Sequence, residues 1–472
     1  MVYLLIACLL QFYFISVPWD QDTAYHVAVG RLIQQHGILH AFPWTPFSWL
    51  TDHYADKELL FHLLFVPLAN LSWILAAKIV AVFLEVVMLL TFYFVLRKEK
   101  VRFAGLWALL PLVTSAVFVL RFSLLRPHLM SITLGFLLLW AAVRGRFLLL
   151  AVVSAVYPWS YVAFWQLPMT FLFATEIARF LSGQHVRWKP AAVAVGGILA
   201  GLALHPNLWN LLRLNWIQMV DVLFKNAWQS KAGIELGTEF IPFTVDKWAR
   251  WLLACVLMAI AGFFLAWRNR KEDPAPLAFS IAVLVFGILT ARTPRFAEYF
   301  VPFSIATIAL AVRSIPWRSI SIIVFCATLP FTAFEIAGTL QGIAMNVERI
   351  PPSLAFWLQQ EIPIGTQIFT TDWGFTGTLM LALPERKFIV ALDPTLFLVK
   401  DPELYRLWYS LPLNPYPGMG ETIRRRFGAR FVISAWDQRF PKFYYLLASE
   451  PGVRTLLVSD FWMVFDLGIP LQ

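Results

Sequence analysis

Two aspartates and a histidine are the side chains of this sequence best suited to chemistry. Asp20, Asp22 and His26 closely follow the first apolar segment, within residues 18–71, the most polar and turn-rich stretch in the front half of the chain. Two acids and a histidine together at the mouth of a set of apolar segments are the first place to expect chemistry, and His26 could bind a substrate or hydrogen-bond Asp22. The plainer alternative is that both acids only cap a helix, which stabilises it by about 0.5–2 kcal/mol.

The same two acids could also bind a divalent metal. Residues two apart on a helix point in nearly opposite directions, so Asp20 and Asp22 can share one ion only if Asp20 lies in an extended or turn conformation. The sequence leaves this open. The three cysteines, Cys8, Cys255 and Cys326, lie inside apolar segments, lack the spacing of a zinc site and predict no disulfide.

The acids must be positioned by a helix that is predicted to begin at Thr23, as N-cap, and to end at Gly37. A polar face recurs every four residues, at Asp22, His26, Gly30 and Gln34, and an apolar face is formed by Tyr25, Val29, Leu32 and Ile33. This pattern predicts an amphipathic helix lying along a membrane surface.

A second amphipathic helix is predicted from near Asp56, after the turn-rich segment 43–48. Glu58 and His62 are four residues apart on it, the spacing of an ordinary surface pair on a helix. Lys57 lies beside them and is a candidate for binding an anionic substrate.

The composition indicates a membrane protein. Of the 472 residues, 59% are hydrophobic and only 14% are charged, and the mean hydropathy is +0.68. The net charge of +10 does not point to nucleic acid, because the basic residues cluster in short loops between apolar runs. Residues 1–17 lack a basic start and a small-residue cleavage site, so we expect a retained first helix.

Eleven apolar runs reach or approach the length of a membrane span. They are 1–17, 73–96, 103–120, 128–143, 147–157, 160–180, 190–204, 248–267, 276–291, 297–312 and 318–337.

Basic residues set the orientation of these runs. With eleven spans and a cytoplasmic start, the loops at 97–102, 144–146, 179–189, 268–271 and 313–318 carry the lysines and arginines inside, as the positive-inside rule requires. If 147–157 and 160–180 were one span, the last three of these basic loops would lie on the outer side of the membrane instead. The loops 18–72 and 206–247 and the C-terminal tail are therefore expected outside.

The tail predicts a soluble α/β domain at 346–472, after a membrane module at 1–345. Short strands are expected at 367–371, 387–392, 430–434, 454–458 and 462–466, alternating with helices at 354–361, 402–410, 420–427 and 442–449. Gly374 and Gly377 do not form a dinucleotide-binding fingerprint. The expected fold class is a polytopic α-helical membrane protein of about eleven transmembrane helices with this C-terminal domain.

Four arginines break the positive-inside trend, since Arg121, Arg126, Arg292 and Arg295 lie at outer ends of spans. Charges near membrane depth are costly and are commonly functional, and guanidinium groups suit a phosphate or pyrophosphate. Snorkelling to lipid head groups is the alternative.

Motifs in the first 70 residues resemble those of the GT-C superfamily of glycosyltransferases, whose donors are polyprenyl-phosphate sugars. The resemblance rests on the acids after the first span, on Asp22, His26, Gly30-Arg31 and Gly37, and on Pro46-Phe47-Ser48, which match the loop of bacterial members. Further similarities to the family lie at 126–128, 205–207 and 292–295.

The resemblance implies an inverting transfer of a sugar from polyprenyl phosphate to an extracytoplasmic glycan, lipid or protein. An acid of the first loop, Asp22 or Asp20, would be the base. His26, Lys57 and the four arginines, Arg126 and Arg295 foremost, would bind substrate or the donor phosphate. Family members differ in metal use, so a divalent cofactor is not assigned. A bacterial inner-membrane location is expected, with 346–472 outside the cytoplasm.

Other segments are weaker candidates for the acceptor site. Trp228, Glu235 and Glu239 lie in the loop 206–247, and Asp372-Trp373-Gly374 and Asp393-Pro394 follow predicted strands. The rival functions are a transporter or flippase of a lipid-linked saccharide and a non-catalytic envelope scaffold. A transporter favours acids near mid-membrane and repeated halves, whereas here acids gather in the outer loop, Glu85 is the chief midspan acid, and no repeat is evident.

Overall fold

The helices follow the apolar runs of the sequence. The computed structural model describes residues 1–18, 20–224, 240–313, 320–391 and 393–468, so that the candidates Trp228, Glu235 and Glu239 lie outside the described residues, as do Trp19 and Leu392. Up to residue 344 the helices are α1 (Val2–Cys8, continued by a π-helix at Leu9–Phe14), α2 (Gln21–His36), α3 (Leu59–Leu63), α4 (Trp73–Lys98), α5 (Ala104–Leu109), α6 (Pro111–Thr114), α7 (Ala116–Phe122), α8 (His128–Arg144), α9 (Phe147–Ser160), α10 (Gln166–Leu181), α11 (Trp188–Ala203), α12 (Leu208–Trp216, continued by a π-helix at Ile217–Phe224), α13 (Val245–Trp251), α14 (Leu253–Arg268), α15 (Ala275–Arg292), α16 (Ala297–Ala311) and α17 (Ile320–Ala344).

Two of these helices, α4 and α15, are long and apolar enough to cross a membrane alone. Two bent pairs also qualify if each counts as one span: Trp188–Ala203 with Leu208–Asp221, bent by 119°, and Val245–Trp251 with Leu253–Arg268, bent by 76°. Most of the remaining predicted spans fold as shorter or broken helices, such as α5 to α7 in the run 103–120, whereas the run 318–337 falls largely within α17, a continuous helix of 25 residues. Eleven crossings therefore stay a prediction.

Stacked aromatic rings form the centre of the helical bundle. Phe136 on α8 stacks on Phe92 of α4 and on Phe303 of α16, with ring centroids 4.7 and 4.4 Å apart. Phe303 stacks in turn on Phe171 of α10 at 5.3 Å. Each such pair contributes about 0.5–1.5 kcal/mol beyond the area it buries.

An ion-pair network joins the helix ends that the charge pattern assigns to the cytoplasm. Glu99, directly after α4, accepts hydrogen bonds from Arg144 at the end of α8 and from Arg313 beyond α16. Asp273, before α15, also pairs with both arginines. The network holds four helices together on the face opposite the first loop.

Helices α9 and α11 pack closely at glycines. A Cβ atom added to Gly201 would lie 2.1 Å from the carbonyl oxygen of Ala155, and one on Gly197 would lie 2.5 Å from that of Ala151. Gly196, on the same helix, has no such neighbour within 4 Å. Small residues allow this backbone approach between membrane helices.

We expect Gly201→Ala to destabilise the protein by about 1–3 kcal/mol, the range for overpacking a tight contact. Thermal unfolding of the purified protein measures it. Gly196→Ala is the matched control, because it makes the same change in helix propensity without the clash. Equal melting temperatures for the two variants would contradict the close packing.

The C-terminal part contains one mixed β-sheet flanked by helices. Its elements are α18 (Pro352–Glu361), β1 (Gln367–Phe369), α19 (Thr376–Ala382), β2 (Lys387–Phe388), α20 (Pro394–Lys400), α21 (Pro402–Leu413), α22 (Met419–Phe427), β3 (Phe431–Ala435), α23 (Pro441–Ser449), β4 (Arg454–Val458) and β5 (Trp462–Asp466). Within the described residues the five strands form one sheet in the order β2-β1-β3-β5-β4. Strand β1 pairs in parallel with β2 and β3, and β5 pairs antiparallel with β3 and β4.

The first loop is packed between the bundle and this C-terminal sheet region, residues 352–468. Helix α2 begins at Gln21 rather than Thr23, and Gly37, at φ +75°, ends it as predicted. Its apolar face contributes Val29 and Ile33 to a core shared with Leu379 of α19. The indole of Trp44 donates a hydrogen bond to the carbonyl of Pro384 at 2.7 Å.

The prediction that α2 lies along a membrane surface is wrong. The middle of its polar face is buried as well, since Gly30 is buried and His26 is only 4% exposed. A Cβ on Gly30 would lie 2.4 Å from Cβ of Phe65, so this face packs directly against the end of the first loop. The helix is amphipathic because one side packs on the sheet region and the other contributes polar groups to an internal cavity.

Candidate active site

A cavity of about 830 Å³ lies where the bundle, the first loop and the C-terminal sheet region meet. Seven of the eight residues singled out from the sequence line it: Asp20, Asp22, His26, Lys57, Arg121, Arg126 and Arg295. Arg292 is exposed at the end of α15 and is not among the lining residues. Residues that are up to 275 positions apart in the chain thus share one space.

Arg126 joins the two acids. Its guanidinium donates to both carboxylate oxygens of Asp20, at 2.8 and 2.6 Å. The same Nη2 atom lies 2.9 Å from Oδ2 of Asp22. Bidentate guanidinium–carboxylate pairs are among the strongest hydrogen-bonded contacts in proteins.

Asp20 occupies the N-cap position of α2 in an extended conformation, with φ −84° and ψ 125°, but its side chain makes no capping hydrogen bond. Its side chain is 6% exposed, whereas that of Asp22 is 28% exposed. Simple helix capping therefore does not account for Asp20. The extended backbone does allow both acids to face one cation, and Nη2 of Arg126 takes that position.

His26, His62 and Asp56 form a buried chain of hydrogen bonds. Nδ1 of His26 lies 2.8 Å from Nε2 of His62, and Nδ1 of His62 lies 2.7 Å from Oδ2 of Asp56. Glu58 approaches from the side, with Oε2 3.9 Å from Nδ1 of His26. The prediction that Glu58 and His62 form a surface pair is wrong, since they are 9% and 1% exposed.

The pKa values of the two imidazoles are shifted in opposite directions. Burial, the neighbouring His62, and the cations Arg126 and Lys57 hold the pKa of His26 well below its ordinary value. Burial acts in the same direction on His62, but Asp56 and Glu58 outweigh it and raise its pKa. His62 is therefore the more basic of the two imidazoles.

His26, Glu58 and His62 could also hold a metal ion. Their ligand atoms, one from each residue, all lie within 4.8 Å of one another, and all three side chains are buried. All three line the cavity. They are a more complete donor set than the acid pair, which Arg126 bridges.

The outer arginines have different surroundings. Arg121 is buried and donates two hydrogen bonds to Oε2 of Glu298, at 3.0 and 2.6 Å. The carboxylate of Glu298 thus largely neutralises the charge of Arg121. Arg295 is half-buried in the cavity wall, with Nη2 3.4 Å from the hydroxyl of Tyr161.

A chain of polar contacts crosses from the first loop to the C-terminal sheet region. Lys57 donates to Oε1 of Gln218 at 3.1 Å, and Nε2 of Gln218 donates to Oδ2 of Asp393 at 2.7 Å. Asp393 also caps α20. Asp372, Trp373 and Asp393 line the cavity, so the sheet region forms part of its wall.

Several cavity residues were missed from the sequence, notably Asp56, Glu58, His62 and Gln218. The first three lie within seven residues, and that spacing could have indicated a cluster. Gln218 carries no comparable signal, because only the fold brings it to Lys57 and Asp393.

Comparisons with known proteins establish the fold. No protein-family model matches the sequence, and no curated protein matches it either. Solved structures do match. The oligosaccharyltransferase of Archaeoglobus fulgidus superposes with a TM-score of 0.60 at 13% identity, over 96% of this chain and 71% of that one.

Two further structures agree. ArnT from Cupriavidus metallidurans matches with a TM-score of 0.56 at 13% identity, over 99% of this chain and 98% of its own. The arabinofuranosyltransferase AftD from Mycobacteria matches with a TM-score of 0.61 at 15% identity over 99% of this chain, which spans 40% of AftD. All three are GT-C membrane glycosyltransferases, and the chain has their fold.

Proposed function

We propose, from this shared GT-C fold, that the chain is an integral-membrane glycosyltransferase that moves a sugar from a polyprenyl-phosphate donor to an extracytoplasmic acceptor. The observation that carries the proposal is the single cavity that unites Asp20 and Asp22 with Arg126 and Arg295. A sugar linked through phosphate to a long isoprenoid stays in the bilayer, so its transferase needs polar catalytic groups beside apolar helices. The cavity meets this requirement.

The proposed chemistry is a single displacement. An acceptor hydroxyl oxygen forms a bond to the anomeric carbon while the bond from that carbon to the phosphate oxygen breaks. Polyprenyl phosphate leaves with the bonding electrons, and the hydroxyl proton passes to a carboxylate. Attack opposite the leaving group inverts the anomeric carbon.

Asp22 is the better general base of the two acids. It lies one helical turn from His26, and its side chain is 28% exposed against 6% for Asp20. Asp20 binds Arg126 through both carboxylate oxygens, which suits a positioning role. We therefore propose Asp22 as the base, with Asp20 and Arg126 fixing its orientation.

The donor phosphate needs positive charge beside it in the cavity. Arg295 and Lys57 are the proposed phosphate contacts, because both are cations that line the cavity, where Arg295 donates to the hydroxyl of Tyr161 and Lys57 to Oε1 of Gln218. Such preorganised charge stabilises the leaving group in the transition state.

We expect Arg295→Gln to raise the KM for the donor about 10–100-fold, since a charged hydrogen bond contributes about 1.5–3 kcal/mol. Initial rates at varied donor concentration measure it. Arg268→Gln, at an exposed arginine on the opposite end of the bundle, is the control. An unchanged donor KM would show that Arg295 does not bind the donor phosphate.

The acceptor is expected to approach from the C-terminal sheet region. Asp372, Trp373 and Asp393 supply carboxylates and an aromatic ring to that wall of the cavity, groups that suit a hydroxylated substrate. A glycan, a lipid or a protein would each present such a hydroxyl.

The proposal is tested with the full chain purified into lipid nanodiscs. Radiolabelled polyprenyl-phosphate sugars are supplied with membrane extract as acceptor, and labelled product is separated from donor. We expect transfer with at least one sugar. Failure with every donor and extract would overturn the enzymatic assignment and favour a transporter or scaffold.

A further inference from the structure

Four side chains of the first loop converge in the same cavity as the acid pair: His26 from α2, Asp56 and Glu58 from the residues that precede α3, and His62 from α3 itself. They are buried, with exposures of 4%, 4%, 9% and 1%. Nothing in the proposed displacement requires two imidazoles and a second pair of carboxylates at this point. Burying four ionisable groups is costly unless they are paired or coordinate a metal.

We propose that His26, Glu58 and His62 form a binding site for one zinc-type divalent transition metal ion. The facing atoms are Nδ1 of His26, Nε2 of His62 and Oε2 of Glu58. Two imidazoles and one carboxylate are a common ligand set of catalytic zinc sites. Magnesium and calcium prefer all-oxygen ligands, so nitrogen donors favour a transition metal.

The distances fit binding after a small adjustment. The two imidazole nitrogens are 2.8 Å apart, close enough to share one proton. Zinc–nitrogen bonds of about 2.0–2.1 Å in a tetrahedral site require roughly 3.3 Å between ligand atoms. The two nitrogens must separate by about half an ångström, and Oε2 of Glu58 must move inwards from its distance of 3.9 Å to Nδ1 of His26. Side-chain rotation can supply both shifts, and the ion then replaces the shared proton.

Asp56 supplies the supporting contact that such sites normally have. Its Oδ2 accepts a hydrogen bond from Nδ1 of His62 at 2.7 Å, which fixes the ring so that Nε2 faces His26. Its Oδ1 accepts from the backbone N–H of Glu58 at 3.0 Å. A carboxylate behind a metal-binding histidine orients the ring and raises its basicity, and here one carboxylate orients two ligands.

The site also has an open side. All three ligands line the cavity, so a three-ligand ion would keep a coordination position for an oxygen atom of a bound molecule. His26, one of the ligands, follows Asp22 by about one turn of α2. Metal binding is a property of the chain without donor or acceptor, so this proposal does not rest on the glycosyltransferase assignment.

Metal content and affinity test the site directly. The full chain is purified in detergent, incubated with zinc, freed of excess by desalting, and analysed by elemental mass spectrometry. Competition with a chromophoric chelator gives the affinity, and cobalt substitution reports the ligand geometry by its visible absorption. We expect one zinc per chain and a tetrahedral or five-coordinate cobalt spectrum.

Single substitutions distinguish the proposed metal ligands from Asp56, which orients them. Glu58→Gln and His62→Gln should each weaken zinc binding more than tenfold. Asp56→Asn keeps all three ligands and should weaken it about 10–100-fold, the usual effect of losing a supporting contact. His53→Gln, at an exposed histidine of the same loop, should bind zinc as the unmodified chain does.

Two results would overturn the proposal: substoichiometric zinc in the unmodified chain after loading, or equal affinity in Glu58→Gln and the unmodified chain. Should His62→Gln fail to fold, the cobalt spectrum of the unmodified chain and the Glu58→Gln affinity still decide. A chain that binds no zinc after loading and yet transfers sugar would refute the metal site while leaving the proposed function intact.

Discussion

Asp22→Asn is expected to lower kcat for sugar transfer about 10²–10⁴-fold, the usual contribution of a general base. Asparagine keeps the shape of the side chain and can still accept a hydrogen bond from Arg126, but it cannot take the acceptor proton. The donor KM should change little, because the loss falls on the transition state rather than on binding. Single-turnover transfer of radiolabelled sugar measures the effect.

Asp52→Asn is the matched control for this substitution. Asp52 belongs to the same loop, but its side chain is 68% exposed and pairs with Lys400 at the surface. A rate within threefold of the unmodified chain for Asp22→Asn would show that Asp22 is not the base. The same assay on Asp20→Asn would then decide whether the other acid acts instead.

Arg126→Gln is expected to reduce both stability and transfer. Removing one partner of a buried ion pair costs about 3–5 kcal/mol, and the 19% exposure of the Arg126 side chain places the expected loss near the lower end. Without the guanidinium, Asp20 and Asp22 repel each other and lose their orientation. A misplacement of about 1 Å at a reacting group can cost 10²-fold in rate.

A double-mutant cycle identifies the cause. Asp20→Asn removes the carboxylate that Arg126→Gln leaves unpaired, so the double variant should melt at a higher temperature than Arg126→Gln alone. Its loss should also be smaller than the sum of the two single losses, as expected for residues in direct contact. Additive losses would mean that the observed bidentate contact contributes little.

The sequence predicts most helices and strands because each follows a local pattern. Strands β4 and β5 coincide with the predicted 454–458 and 462–466, where apolar residues are bounded by turn residues. Helices α19 and α20 were not predicted. Their first residues, Thr376 and Pro394, follow glycine- or aspartate-containing segments that read equally well as loops.

The start of α2 shows the limit of local reasoning about the site. Thr23 is a good capping residue, yet the helix begins two residues earlier and Asp20 bonds to Arg126 instead of capping it. The competing partner lies 106 positions along the chain, beyond any local signal. The same limit explains Glu58 and His62, whose helical spacing is that of a surface pair until another part of the fold covers them.

The arginines were singled out from charge and topology, and the fold separates them. Arg121, Arg126 and Arg295 all line the cavity and Arg292 does not, but Arg121 is paired with Glu298 and Arg126 with Asp20 and Asp22. Charge patterning can indicate which side of a membrane a cation occupies. It does not reveal which carboxylate a buried cation meets, because that depends on packing between helices.

The hydrogen bond between Trp44 and Pro384 has a consequence for biogenesis. The two residues are 340 positions apart, and at typical synthesis rates of about 5–20 residues per second the later one emerges roughly 20–70 s after the first. The acid-bearing helix therefore leaves the ribosome long before the sheet region that covers it exists. Until then its apolar face needs a temporary cover, such as the lipid surface or a chaperone, so this loop is exposed to misassembly throughout that interval.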